Sequence, residues 1–187
     1  RRGRPALRGM AAASKAQTLI LVGSEGGSTW GFATTLAKNL QTAGQSVHMA
    51  ALNSFAPERY RHAERIVVMT ATWGEGTAPS SAKRALERLA EASPTVPMTV
   101  LGFGDSSFPD FCGFATSFET AARAKGWDLI LPEQRIDRGS PQEFARWGQA
   151  FGAKIGLALE LHHQFFPQRL MHRENSQEPS LSQVVLE

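Results

Sequence analysis

Apolar residues are grouped in short runs along the chain, and each run is followed by a polar loop and then by apolar residues at helical spacing. Near-continuous apolar runs are typical of parallel strands that are buried on both faces. They predict strands that begin at Thr18, Arg65 and Met98, and shorter ones at Gln45–Leu52 and Asp128–Leu131.

Apolar residues three and four positions apart predict helices between these strands. The predicted helices cover Trp30–Leu40, a segment that is capped by Ser80 or Ser81 and runs to Ala90, Phe114–Lys125 and Pro141–Leu161. This alternation of strand and helix favours an α/β fold, a doubly wound five-stranded parallel sheet with helices on both faces.

The predicted domain covers residues 17–161 and has an extension at each end. Residues 1–16 form a basic arm or linker, and residues 162–187 form a polar tail or a linker to a further domain. The arm carries five bases and no acid, so it accounts for the formal net charge of +3 and leaves the domain close to neutral. Because this surplus lies in one short arm without aromatic residues, no nucleic-acid partner is expected.

Cysteine and histidine are placed in ways that disfavour a metal site. The single cysteine, Cys112, excludes an internal disulfide and any multi-cysteine metal site. His162 and His163 are adjacent at a predicted helix end without an acidic or cysteine partner, and are expected to be solvated. No metal is therefore expected.

The basic arm leaves two interpretations open. It lacks the apolar core of a signal peptide. It is either a plain linker or a cytoplasmic segment that follows a membrane helix upstream of residue 1. The expected location is the cytoplasm, with a membrane tether under the second interpretation.

The loop after the first strand, Ser24–Thr29, has the composition of a phosphate site. Glycines allow backbone N–H groups to face an anion, and the following helix directs the positive end of its dipole there. No lysine follows the glycines and the dinucleotide spacing is absent, so neither a nucleotide-triphosphate loop nor a dinucleotide loop is predicted. The loop suits one phosphate without a metal, although an ordinary strand-to-helix turn has a similar composition.

Two further loops, Thr72–Pro79 and Gly104–Gly113, follow the third and fourth predicted strands. In a doubly wound sheet such loops meet at the carboxyl ends of the strands, where ligands bind. Each carries an aromatic residue among small ones, Trp73 and Phe108. A flat ligand between the two rings explains both, and the alternative is that the rings pack on neighbouring loops.

The three loops resemble the flavin mononucleotide (FMN) loops of flavodoxins, and most closely those of the FMN domains of diflavin reductases. This family includes cytochrome P450 reductase, sulfite reductase flavoprotein and nitric oxide synthase reductase. The matching segments are Gly23–Ala33, Ala71–Pro79 and Leu101–Cys112. The resemblance covers residues 17–160 and implies a flavodoxin-like fold with FMN as its cofactor.

The resemblance also implies which residues bind the cofactor. Ser24–Thr29 would hold the FMN phosphate, and Trp73 and Phe108 would enclose the isoalloxazine ring. The full implied set is Ser24, Glu25, Gly26, Gly27, Ser28, Thr29, Ala71, Thr72, Trp73, Gly74, Glu75, Gly76, Phe103, Gly104, Asp105, Phe108, Phe111, Cys112 and Asp137. No residue is implied as catalytic, because the cofactor itself carries the electrons.

The function implied by the resemblance is electron transfer. The domain would accept electrons from an FAD module reduced by NADPH, in the same polypeptide or a separate chain. It would pass them one at a time to a redox protein, a haem or an iron–sulfur centre. The chain would then be the FMN domain of an NADPH-dependent diflavin oxidoreductase and not a complete enzyme.

Two alternatives to this function remain at this point. One is a single-chain NAD(P)H:quinone-type flavoprotein, and the other is a flavodoxin-like interaction module that has lost its cofactor. Departures from the family pattern keep the second open. Gly26-Gly27-Ser28 stands where the family has Thr-Gly-Thr, so the loop is richer in glycine and loses one hydroxyl. Trp73 and Phe108 stand where the family has tyrosines, which keeps the stacking and removes two phenol hydroxyls.

Overall fold

A computed structural model describes residues 9–163 of the chain, apart from Arg61 and Gly74. The predicted arm at residues 1–8 and the predicted tail from residue 164 onward lie outside the described residues. Within the described part, none of the helices combines the length and the hydropathy that a bilayer crossing requires.

Five parallel strands form one sheet, as predicted. They are β1 (Thr18–Gly23), β2 (Val47–Ala51), β3 (Arg65–Ala71), β4 (Met98–Gly104) and β5 (Gln134–Asp137). Their order is β2-β1-β3-β4-β5, with every neighbouring pair parallel. The chain therefore leaves the first strand to one side and returns across it to the other, which is the doubly wound topology.

Four α-helices cover the two faces of the sheet. They are α1 (Ser28–Thr42), α2 (Ala85–Glu91), α3 (Gly113–Lys125) and α4 (Pro141–Ile155). One apolar cluster joins α1 and α4 to the sheet, and a second joins α2 and α3 to it. The apolar residues of β1, β3 and β4 alternate between the two clusters, and this explains why these strands are apolar on both faces.

The fifth strand differs from its prediction. The apolar stretch Asp128–Leu131 makes only one isolated bridge, between Leu129 and Met98, and Pro132 then interrupts the ladder because it has no N–H to donate. The strand itself, β5, is mostly polar and pairs with the end of β4. It lies at the edge of the sheet, where a single buried residue, Ile136, is enough to hold it.

Two other elements, the second strand and the second helix, are shorter than predicted. The second strand was expected over Gln45–Leu52, but Leu52 already belongs to a 3-10 turn, Leu52–Ser54. The helix expected from Ser80 or Ser81 begins instead as a 3-10 turn, Ser80–Ala82, and α2 starts three residues later. Side-chain contacts of Ser81, described below, hold that turn in place.

The last helix was expected to reach Leu161, but it ends at Ile155. Gly156 adopts a left-handed conformation with φ of 78°. Its N–H donates to the Gly152 carbonyl and so caps the helix. The following residues run back over α4 and bury Leu159 and Leu161 in the apolar cluster. Leucines at every second position fit an extended segment better than a helix, and this is the signal that the helical prediction overlooked.

This extended segment, residues 157–163, ends on α1 through His163. The His163 ring lies 3.9 Å from the Phe32 ring, centroid to centroid, and its Nδ1 lies 2.8 Å from the Thr35 hydroxyl. The expectation that both histidines are solvated is therefore wrong for His163, which is half-buried, whereas the side chain of His162 is 83% exposed. Burial lowers the pKa of His163, because an apolar environment disfavours imidazolium.

At the other end of the described chain, residues 9–16 lie against β2. The Ala11 N–H donates to the Val47 carbonyl at 2.9 Å, and Met10 packs on the α1 and α4 cluster. The part of the predicted arm that the structure describes is thus attached to the domain.

We predict that acidification weakens the fold through His163. The folded chain favours the neutral ring, so the unfolded chain binds a proton at higher pH than the folded chain does. The stabilisation by His163 is complete above the unfolded pKa of about 6.5 and declines as the pH falls toward the lowered folded value. Denaturant unfolding at about pH 7.5 and about pH 5 should therefore show a smaller loss of stability for His163→Gln than for the unsubstituted chain.

His162→Gln is the matched control, since it removes an exposed histidine from the same segment. It should retain the pH dependence of the unsubstituted chain. An identical pH dependence in His163→Gln would contradict the assignment.

Candidate functional site

The register of the sheet brings the ends of four strands to one edge. Gly23 at the end of β1 is aligned with Thr70 of β3, Ala71 of β3 with Phe103 of β4, and Gly104 of β4 with Asp137 of β5. The loops that leave these strands are therefore neighbours, and the candidate site is built from them.

The first loop, residues 24–27, leads directly into α1. Gly27 has φ of 99°, a left-handed conformation that favours glycine, and its N–H donates to the Ser24 hydroxyl at 2.8 Å. The N-cap residue of α1, Gly27, has no side chain with which to cap the helix, and the Ser28 side chain is exposed there. The positive end of the helix dipole is thus open to an anion from solution.

Three hydrogen bonds tie the first loop to the 3-10 turn Ser80–Ala82, which directly follows the second loop. The Ser24 N–H donates to the Ser81 hydroxyl at 2.7 Å, and the Ser80 N–H donates to the Glu25 carboxylate at 2.6 Å. The Ser81 hydroxyl in turn donates to the Ser24 carbonyl at 3.1 Å. Glu25 is therefore engaged in holding the loops together.

The second loop is a tight turn that presents Trp73. The N–H of Trp73 donates to the Thr77 carbonyl at 2.8 Å, and the N–H of Thr77 donates back at 2.9 Å. This closed turn holds the Trp73 ring outward with 54% of the residue exposed. Glu75 is also exposed at its tip.

The third loop, residues 104–113, packs on the second. The Phe114 N–H donates to the Thr72 hydroxyl at 3.0 Å. Gly76 lies so close to Asp110 that a Cβ at Gly76 would be 3.1 Å from the Asp110 Cβ. The loop presents Phe108 with 60% of the residue exposed.

Exposure of these two rings is unusual for this molecule. Among the described residues, only three large apolar side chains are exposed, and they are Trp73, Phe108 and Leu86. Two of the three lie in neighbouring loops at the carboxyl edge of the sheet. Exposed apolar side chains in neighbouring loops make this edge a candidate binding surface.

Serine hydroxyls hold two carboxylates in the third loop and the β5–α4 turn. Asp137 accepts from the N–H and the hydroxyl of Ser106 at 2.8 and 2.7 Å, and Asp105 accepts from both groups of Ser107 at 2.9 and 2.7 Å. These hydrogen bonds lower the pKa of both carboxyl groups. Both acids are ionised at neutral pH and place negative charge at this edge.

Several of the predicted residues have side chains that point away from the loops. Phe103 packs on Phe32 in the core with ring centroids 4.9 Å apart, and Cys112 is 1% exposed. Burial raises the pKa of the Cys112 thiol to about 12, so it stays protonated. Thr29 is buried as well, and Gly74 lies outside the described residues.

The remaining predicted residues lie along the three loops. Phe111 is half-buried below the guanidinium of Arg135, which lies 5.6 Å from the ring centroid. The residues not predicted are those that join the loops, Ser80, Ser81 and Ser106. They serve as donors or acceptors between distant segments, a role that no local sequence pattern reveals.

Comparison with known proteins gives relatives of two kinds. The chain is 30% identical over 140 residues to the sulfite reductase [NADPH] flavoprotein alpha-component of Shewanella oneidensis, a match that covers 72% of this chain and 23% of that protein. It is 25% identical over 150 residues to probable flavodoxin 2 of Bacillus subtilis, covering 77% of this chain and 99% of that one. The chain thus spans about a quarter of the length of the first relative.

Solved structures and a family model agree with these relatives. A flavodoxin variant from Pseudomonas aeruginosa is 26% identical, with a TM-score of 0.64 over 74% of this chain and 98% of that one. Flavodoxin 2 from Bacillus cereus, 22% identical with a TM-score of 0.65 over 75% and 98%, shows the same fold. The model of the family Flavodoxin matches residues 20–147.

Flavodoxin-family proteins bind FMN, and the residues at this edge fit that group. Two exposed rings in adjacent loops suit a flat aromatic ligand. The uncapped start of α1 suits a phosphate. Within the described residues, no group of three or more histidines, cysteines and acids is placed to hold a metal ion, and a flavin phosphate does not require one.

We predict that Ser81→Ala lowers the stability of the chain. Its hydroxyl is buried and accepts the Ser24 N–H, so the substitution leaves that N–H without its acceptor. An unsatisfied buried donor costs about 1–3 kcal/mol. Ser80→Ala is the matched control, because the exposed Ser80 engages Glu25 through its backbone. Denaturant unfolding of the two variants checks the prediction, and equal stability would contradict it.

The matched span of the family model runs from β1 into α4 and contains all three loops. The topology, the exposed rings and the open helix start agree with that match. The chain belongs to the flavodoxin family and is a flavodoxin-like FMN electron-transfer domain.

Proposed function

We propose that this chain is the FMN domain of an NADPH-dependent diflavin electron-transfer system. It accepts electrons from an FAD module reduced by NADPH and passes them one at a time to a redox protein, a haem or an iron–sulfur centre. The observation that carries the proposal is the pair of exposed rings, Trp73 and Phe108, beside the open start of α1.

Similarity to the sulfite reductase flavoprotein supports the partner part of this proposal. The match covers 23% of that relative, whose name includes NADPH. A chain that corresponds to a quarter of such a protein needs the rest of the machinery from elsewhere. The FAD module therefore lies either in the same polypeptide or in a separate chain.

A second candidate is an independent flavodoxin that exchanges electrons with separate proteins. It is favoured by the match to probable flavodoxin 2 of Bacillus subtilis, of which the chain covers 99%. The two candidates share the FMN site and differ only in how the FAD module is connected.

The described residues have clear tasks in this function. The backbone of residues 24–29 and the start of α1 bind the phosphate, and Trp73 and Phe108 hold the ring system by stacking. Bound FMN supplies the redox chemistry by taking up and releasing single electrons. The serine-held carboxylates Asp105 and Asp137 set the charge near it.

We further propose that the FMN-binding unit consists of residues 17–161 together with residues 9–16, which lie against β2, and His163, which packs on α1. The residues beyond them at each end are proposed as linkers. We also propose that the protein works in the cytoplasm, either free or tethered to a membrane by a segment upstream of residue 1.

The expected behaviour of the FMN-loaded chain distinguishes this function from direct reduction by a nicotinamide. NADPH alone should leave the visible flavin absorbance unchanged, because the proposal places the nicotinamide site on another module. Addition of a catalytic amount of an FAD-containing NADPH reductase should bleach that absorbance. Rapid bleaching by NADPH alone would favour a quinone-reductase type of flavoprotein. Absence of bleaching with every such reductase would contradict the proposal.

A further inference from the structure

Arg138 occupies a position where an arginine is unexpected. It follows β5 directly and has φ of 52°, a left-handed conformation that costs a non-glycine residue about 1 kcal/mol or more. Its N–H donates to the Gly104 carbonyl at 2.7 Å. The backbone of Arg138 is therefore fixed against the third loop of the site.

The side chain of Arg138 reaches both carboxylates at this edge. Its Nε lies 3.6 Å from Oδ1 of Asp105 and 3.5 Å from Oδ1 of Asp137. Its Nη2 is 3.4 Å from the Ser106 hydroxyl, which itself donates to Asp137. One guanidinium thus faces two acids that belong to different segments of the chain.

These contacts contribute little to holding the fold. The Arg138 side chain is 64% exposed, and ion pairs of exposed groups are strongly screened by water. The loops are joined here by the Ser106 hydrogen bonds to Asp137, which do not need the arginine. The guanidinium therefore acts mainly through its charge. Together with the two ionised acids it gives a net charge of −1, where the acids alone would give −2.

We propose that Arg138 tunes the redox preference of the site by offsetting Asp105 and Asp137, so that reduced FMN is bound more favourably than the two acids alone would permit. This inference rests on the proposed placement of FMN beside these loops. Reduced FMN carries more negative charge than oxidised FMN, and nearby carboxylates disfavour it while a nearby cation favours it. Arg138 acts through its charge, and no proton or electron passes through it.

The test compares FMN affinities in the two oxidation states. By the thermodynamic cycle, the ratio of the Kd of reduced FMN to the Kd of oxidised FMN fixes the midpoint potential of the bound flavin relative to free flavin. Arg138→Asn removes the charge and leaves a residue that tolerates the left-handed conformation. The substitution should weaken the binding of reduced FMN, relative to the binding of oxidised FMN, by about two- to fivefold. This is the range expected for the interaction of exposed charges.

A fivefold change in this ratio corresponds to about 20 mV in the two-electron couple between oxidised and fully reduced FMN. Arg138→Lys keeps the charge and should retain most of the original ratio. Arg84→Gln is the matched control, because Arg84 is 60% exposed and pairs with Glu87, near α2 on a different part of the chain. The effect of Arg138→Asn should also shrink as salt is raised.

The outcomes separate this inference from the proposed function. Equal ratios for Arg138→Asn and Arg84→Gln, with normal FMN binding, would overturn the role of Arg138 and leave the function intact. An equally large change of the Kd ratio in Arg138→Lys would also overturn the role of the Arg138 charge, because the effect would then come from the shape of the side chain. Failure of the unsubstituted chain to bind FMN would overturn both.

Discussion

The parallel register of β1, β3, β4 and β5 is the constraint on which the rest of the structure depends. It places the ends of four strands side by side, so that three loops far apart in sequence become neighbours. Hydrogen bonds then fix the relative positions of the loops. They run from Ser24 to Ser81, from Phe114 to Thr72 and from Ser106 to Asp137. A change of register would separate the helix start that suits a phosphate from the rings that suit a flat ligand.

The site leaves two large apolar rings in contact with water, which is energetically unfavourable. Trp73 and Phe108 are more than half exposed, although the interior buries rings as large as Trp147 completely. Burial of a large apolar side chain contributes about 1.5–3 kcal/mol, so leaving two of them in water is unfavourable in the unliganded chain. A flat ligand stacked on the two rings would remove them from water and recover that energy. The proposed stacking of FMN therefore accounts for the exposure of the two rings.

Most of the fold and the three loops could be predicted because their signals are local. Apolar runs at Thr18, Arg65 and Met98 are typical of central strands, and the glycine-rich segments that follow them lie at the carboxyl ends of those strands. The edge strand β5 could not be predicted in this way, because a strand with one buried residue has no apolar run. Ser81 and Arg138 were missed for a different reason. Their partners, Ser24 and Asp105, lie 57 and 33 positions away, and only the folded chain brings them together.

Titration of the purified chain with FMN, followed by flavin fluorescence, tests the central claim most directly. Binding should quench the flavin fluorescence, because stacking on Trp73 and Phe108 brings the flavin ring into contact with them. Trp73→Ala should weaken binding about three- to tenfold and leave residual fluorescence brighter. Leu86→Ala, which shortens the other exposed large apolar side chain, should bind FMN like the unsubstituted chain. Absence of FMN binding, or equal affinities for the two variants, would contradict the account.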